Sequence, residues 1–148
     1  MSNQRISELT TSSVPIKATD YLEVSVYNGA TYDSRKVNSE YLKPYKVYTA
    51  LMAQLGTAAP TATVLENTIG AIVWTRTSAG SYKGTLTGAF TLDKTVGFLT
   101  LNYIGDDYTV YCGRLSANEF NITTLNSLGA ATDTILSDAS LEIRVYQT

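Results

Sequence analysis

Between residues 46 and 147 the chain offers a short alternating run about every ten residues, each closed by a turn signal. This rhythm limits the fold more than any other feature. The runs are "KVYTALMAQ" (46–54), "TATVLEN" (61–67), "GAIVWTRTS" (70–78), "SYKGTLTG" (81–88), "TVGFLTLNYI" (95–104), "DYTVYCGR" (107–114), "EFNITTLN" (119–126) and "SLEIRVYQ" (140–147). Strands of this length at this spacing belong to an antiparallel sandwich or a closed barrel. Ala79-Gly80 predicts one hairpin and Gly105-Asp106 another. The last run alternates Leu141, Ile143 and Val145 with Glu142, Arg144 and Tyr146, so it is expected to pair inside a sheet.

Composition points the same way. Charged residues make up only 16% of the 148-residue chain, and the aromatics are dominated by eleven tyrosines. Charge at this level is below the usual ~25% of soluble domains. Serine and threonine take its place, which favours half-solvated strands over solvent-facing helices. The expected class is all-β. A jelly-roll-like antiparallel β-sandwich is expected over 45–148, after a small β-hairpin module over 1–44, with Pro44 marking the boundary.

The hairpin module poses a question of burial. "YLEVSVY" (21–27) places Leu22, Val24 and Val26 on one face, and Asn28-Gly29 signals a two-residue type I′ turn. In that register Val26 faces Thr31, Val24 faces Asp33 and Leu22 faces Arg35. The face is only half apolar, and an isolated two-stranded hairpin is marginal in water. A partner is expected to complete it.

Several chemistries are absent from the residue list. The chain has no histidine, so Ser-His-Asp and Cys-His machinery and histidine metal sites are excluded. The single cysteine, Cys112, rules out an intrachain disulfide and is expected to be a buried, inert thiol. Glycine-rich phosphate loops are missing, because "GSYKGTLTG" lacks both the spacing and the strand-to-helix context. The thirteen acids are dispersed, which gives no carboxylate pair of the kind glycoside hydrolysis needs. Turn carboxylates at Asp106, Asp107, Asp133 and Asp138 leave a calcium site open. No enzyme and no cofactor are expected. A net charge of −2 with scattered basic residues argues against nucleic acid. The N-terminal stretch "MSNQRISELTTSS" has no apolar h-region, and no run approaches the ~20 residues that span a bilayer. The expectation is a protein without membrane contact and without its own export signal.

The most distinctive stretch is "WTRTSAGSYKGTLTGAF" (74–90). Trp74 and Gly84 are expected to face each other across the hairpin, the indole lying over bare backbone. Arg76 shares the face of Trp74, and Tyr82 that of Gly84. One reading makes this hairpin the core of the larger domain. The other makes Trp74, Arg76 and Tyr82 a glycan platform.

Two resemblances follow from these residues. "RISELTTSSVPIKATDYLEVSVYNGATYDSRKVNSEYL" is similar to an N-terminal module of bacteriophage appendage proteins. Ile6, Glu8 and Leu9, then Asp20, Leu22 and Val24, Asn28-Gly29, Arg35 to Val37 and Leu42 carry the likeness. Thr10 stands where that module usually has proline. Tyr48, Leu51, Pro60, the run from Val64 to Asn67, Trp74, Arg76, Gly80, Tyr82, Gly84, Gly88 and the late "LEIRVYQT" resemble a β domain of tailed-phage structural proteins, notably of crAss-like phages and relatives infecting Bacteroidetes. The resemblance implies a non-enzymatic virion protein, a short head- or tail-fibre subunit, assembled in the host cytoplasm as a homotrimer. Its partner would be a phage capsid or tail protein, reached through Ile6, Leu9, Leu22, Val24, Val26 and Val37. The alternatives are a carbohydrate-binding adhesin for host-surface glycans and a capsid-decoration protein.

Overall fold

The computed structural model describes residues 21–27, 29–38, 43–102 and 107–147. The chain divides into two compact units, Met1–Lys43 and Pro44–Thr148. The break falls at Pro44, whose ring holds the residue before it out of the helical region.

In the first unit, β1 (Tyr21–Tyr27) and β2 (Tyr32–Asn38) form an antiparallel hairpin. Its register differs from that expected of a two-residue turn. Tyr27 pairs with Tyr32, so the connection spans 28–31, and Val26 faces Asp33, Val24 faces Arg35 and Leu22 faces Val37. The longer loop brings the Tyr27 and Tyr32 rings together at 5.2 Å between centroids. Such a cross-strand aromatic pair contributes roughly 0.2–1 kcal/mol. The Tyr27 hydroxyl also donates to the Gly29 carbonyl at 3.0 Å, which closes the loop on itself. A slip of two residues keeps every side chain on its original face, so Val24 and Val26 still share one face, now with Val37. Ile6 and Leu9 lie outside the described residues.

The second unit holds β3 (Tyr45–Ala53), β4 (Thr61–Asn67), β5 (Val73–Ser78), β6 (Ser81–Thr85), β7 (Thr95–Thr100), β8 (Thr109–Arg114), β9 (Glu119–Leu125) and β10 (Ala139–Tyr146). All pairings are antiparallel, in two four-stranded sheets ordered β4-β3-β10-β7 and β5-β6-β9-β8. No helix occurs among the described residues. The fold is all-β, with the layering of a β-sandwich. Within it the sequence neighbours β3 and β4, β5 and β6, and β8 and β9 pair inside one sheet. The regular alternation of β10 is matched by a central position between β3 and β7.

The hairpin expected about Gly105-Asp106 does not form. β7 pairs with β10 and β8 pairs with β9, so the two strands belong to different sheets. A two-residue turn would hold them in one ladder. Gly105 and Asp106 themselves lie outside the described residues.

Alternation supplies the core. Tyr48, Ala50 and Met52 of β3 and Leu141, Ile143 and Val145 of β10 point inward from the first sheet. Trp74, Tyr82, Phe120 and Ile122 point inward from the second, with Phe90 and Leu136 from the connections. Each fully buried side chain of this size contributes about 1.5–3 kcal/mol. Bare backbone at two positions makes room for the rings. A Cβ on Gly97 would meet Phe120 Cζ at 2.4 Å and Cys112 Sγ at 2.9 Å; one on Gly84 would meet the Trp74 ring at 3.0 Å. Trp74 and Gly84 are cross-strand partners, as their spacing about the turn predicts.

Gly97 sets how closely the sheets approach. Gly97→Ala is expected to destabilise by about 1–3 kcal/mol through overpacking against Phe120. Adding Phe120→Leu should recover part of that loss, because the two side chains contend for one volume. Chemical denaturation of the two single variants and the double variant measures it.

Candidate functional site

The glycan platform read from Trp74, Arg76 and Tyr82 is overturned by burial. Trp74 is 8% exposed and Tyr82 fully buried, so neither ring offers a face to solvent. Both satisfy their polar atoms internally, as buried Trp and Tyr usually do. The Trp74 indole donates across the sandwich to the Tyr48 hydroxyl at 3.3 Å. The Tyr82 hydroxyl lies 3.0 Å from Asp133 Oδ1 and 3.1 Å from Gln54 Oε1, sharing its proton between them.

Arg76 finds its partner far along the chain. Its Nε donates to Asp133 Oδ1 at 3.0 Å and its Nη2 to Asp133 Oδ2 at 2.7 Å, a two-pronged, charge-assisted pair. The Gly80 amide donates to the same carboxylate at 3.0 Å. Gly80 turns the β5–β6 hairpin with φ 61°, and a Cβ there would strike the Thr124 carbonyl oxygen at 2.4 Å. Gln54, itself buried, extends the cluster: its Oε1 accepts from the Thr134 amide at 2.6 Å and its Nε2 donates to the Gly56 and Ala58 carbonyls. Thr134 sits at φ 67°, a conformation most side chains avoid.

This cluster has a structural consequence. The registers place the connections 54–60, 79–80 and 126–138 at one end of the sandwich, opposite Tyr45 and Tyr146. Asp133 and Gln54 tie the three together. The Arg76 guanidinium, with the Gly80 amide and the Tyr82 hydroxyl, holds the Asp133 carboxyl down to about 2. Burial pushes the Tyr82 hydroxyl up to about 12. With its oxygens committed to Arg76, Gly80 and Tyr82, Asp133 is not available to the calcium site that the sequence left open. No grouping of three metal-ligating side chains occurs among the described residues. Beside the cluster lies a depression of about 270 Å³ lined by Ala53, Leu55, Ala58, Ala59 and Leu136, and the Gln54 amide in its wall is already bonded.

Cys112 is half-buried, not buried, and faces Gly97 from the neighbouring sheet. Burial pushes its thiol pKa up, which keeps it a poor nucleophile.

An aromatic and cationic constellation does reach the surface, at residues the sequence did not single out. On the outer face of the first sheet, the Arg144 guanidinium lies 4.8 Å from the Tyr45 ring centroid and 5.2 Å from that of Phe98. Tyr45 also meets Tyr146 at 5.3 Å. Arg144 is paired with Glu142 on the same strand, so the charge is matched and the rings are stacked within the protein. The outward alternation of Glu142, Arg144 and Tyr146 was visible in the sequence; the register bringing Phe98 and Tyr45 beside them was not. In the first unit Val24 is 38% and Val26 39% exposed, and Tyr27 and Tyr32 are exposed on the opposite face.

Asp133→Ala should cost about 2–3 kcal/mol, because it strands Arg76 and two further donors; partial exposure of the pair moves the figure towards the lower end. The linkage has a definite sign. Unfolded Asp133 takes up its proton near 3.8 and folded Asp133 only near 2, so its stabilisation is complete above about pH 4 and is lost as pH falls towards 2. For Tyr82 the contribution is complete below about pH 10 and is lost as pH rises towards 12. Thermal midpoints of the wild type and of Asp133→Asn should diverge least at the acid limit, where Asp133 is neutral in both states. Comparison with family models, curated proteins and solved structures finds no match to this chain.

Proposed function

We propose that this protein is a non-enzymatic structural component of a phage particle, a short head- or tail-fibre subunit. Residues of the first unit attach and trimerise the chain, and the β-sandwich is the projecting part. The observation carrying this reading is the hairpin of the first unit, whose described residues are almost all exposed on both faces. Val24 and Val26 are open on one face and Tyr27 and Tyr32 on the other. A two-stranded ribbon of this kind gains stability only from added surface, and closed symmetry supplies it by burying the same patch in every copy. The resemblance of residues 5–42 to phage appendage modules supports the same assignment. The Asp133 cluster of the second unit supports a non-catalytic role for that end of the sandwich, since its charged and aromatic groups are spent on holding loops together.

Light scattering tests the reading on the full chain and on a chain beginning at Pro44, whose sandwich has a core of its own. The expected result is a trimer for the full chain and a monomer for the shortened one. In the full chain, Val24→Asp with Val26→Asp should also give a monomer. A monomeric full chain, or trimers that survive loss of residues 1–43, would contradict assembly through the hairpin.

A further inference from the structure

Three glycines lie inside strands facing other residues, and two of them are explained. Gly84 and Gly97 each leave the space that a ring occupies. Gly113 of β8 is different. A Cβ there would meet nothing within 4 Å, and its backbone is not in the left-handed region. A strand glycine weakens its strand and often marks a place where something approaches the backbone closely. Among the described residues nothing does so at Gly113.

The neighbours of Gly113 form a set. Register places it opposite Asn121 of β9, which in turn faces Lys83 of β6; Tyr111, two residues before Gly113, stands opposite Thr123. All point outward, since the residues between them, Cys112, Ile122 and Tyr82, face the core. Tyr111 is 58% exposed. The side chains of Tyr111, Asn121 and Thr123 have no hydrogen-bond partner among the described residues, whereas Lys83 is matched by Glu119 at 2.9 Å. Strand spacing makes this a patch roughly 10 Å across the strands and 7 Å along them. It has an aromatic wall, a bare backbone floor, an amide offering two donors and an acceptor, and a balanced charge.

We infer that this face of the second sheet binds a neutral saccharide. The Tyr111 ring stacks on the apolar face of the sugar, Gly113 lets the ring settle against the strand, and Asn121 and Thr123 bond its hydroxyls. A hydroxyl-rich ligand matches groups that both donate and accept. An ionic ligand does not, because Lys83 and Glu119 neutralise each other. The outer face of the first sheet lacks this character: its Arg144 is already paired with Glu142 and stacked between two rings. The inference stands apart from the assignment to a phage particle and does not depend on trimerisation.

The test uses the full chain and a panel of neutral mono- and oligosaccharides of glucose, galactose, mannose and the N-acetylhexosamines. Saturation-transfer NMR detects binding and calorimetry measures it. At least one sugar should bind, and Tyr111→Ala and Asn121→Ala should each weaken it about tenfold. Gly113→Thr should abolish binding while leaving the thermal midpoint unchanged or higher, because the added side chain enters open space. Failure of every sugar to bind the wild type would overturn the inference. So would binding that is unchanged in the three variants, or a Gly113→Thr chain that loses stability.

Discussion

Phe120 over Gly97 sets how closely the two sheets approach, Trp74 lies flat over Gly84 within the second sheet, and much of the second unit follows from these two contacts. Where a side chain would stand, a ring lies against backbone. Phe120 reaches from β9 onto β7, and so joins the two sheets directly. With the sheets this close, the inward positions of β3 and β10 interlock with those of β6 and β9. Interiors of this density do not tolerate even one added methyl group without adjustment. The aromatics that look most like a binding surface in the sequence are therefore the ones that close the core.

The open end of the sandwich is held by a different interaction. Rings cannot fasten three irregular connections, because their exposed backbone must be bonded and not merely covered. Asp133 and Gln54 accomplish this by each accepting from or donating to more than one segment. The pair with Arg76 anchors β5 to the connection 126–138, and the Tyr82 hydroxyl lies between Asp133 and Gln54. Thr134 is kept in its unfavourable backbone conformation because its amide is fixed to Gln54. Apolar packing and the polar cluster thus divide the work between the middle of the sandwich and its end.

Much of this was legible in the residues and some was not. Strand positions, the exchange at Pro44 and the facing of Trp74 and Gly84 are local, set by alternation and turn chemistry. Partners distant in sequence are not. Arg76 showed no sign of its partner 57 residues away, because Asp133 lies in an irregular stretch without periodicity. Gly105-Asp106 carries the composition of a hairpin turn, yet β7 finds a better mate in β10, whose Leu141, Ile143 and Val145 complete its inner face. The hairpin between β1 and β2 is legible from its alternation, but its register lies two residues beyond the two-residue turn that Asn28-Gly29 signals. Gly113 looks like any strand glycine until the space around it is known.

The one tryptophan lies in the closed interior, bonded to Tyr48 and laid over Gly84. Its fluorescence reports that position without interference from any other indole. A blue-shifted emission, little quenched by iodide, that moves to the red only with global unfolding is the expected result. Emission at the position of a solvated indole, readily quenched in the native state, would contradict the buried assignment and return Trp74 to the surface.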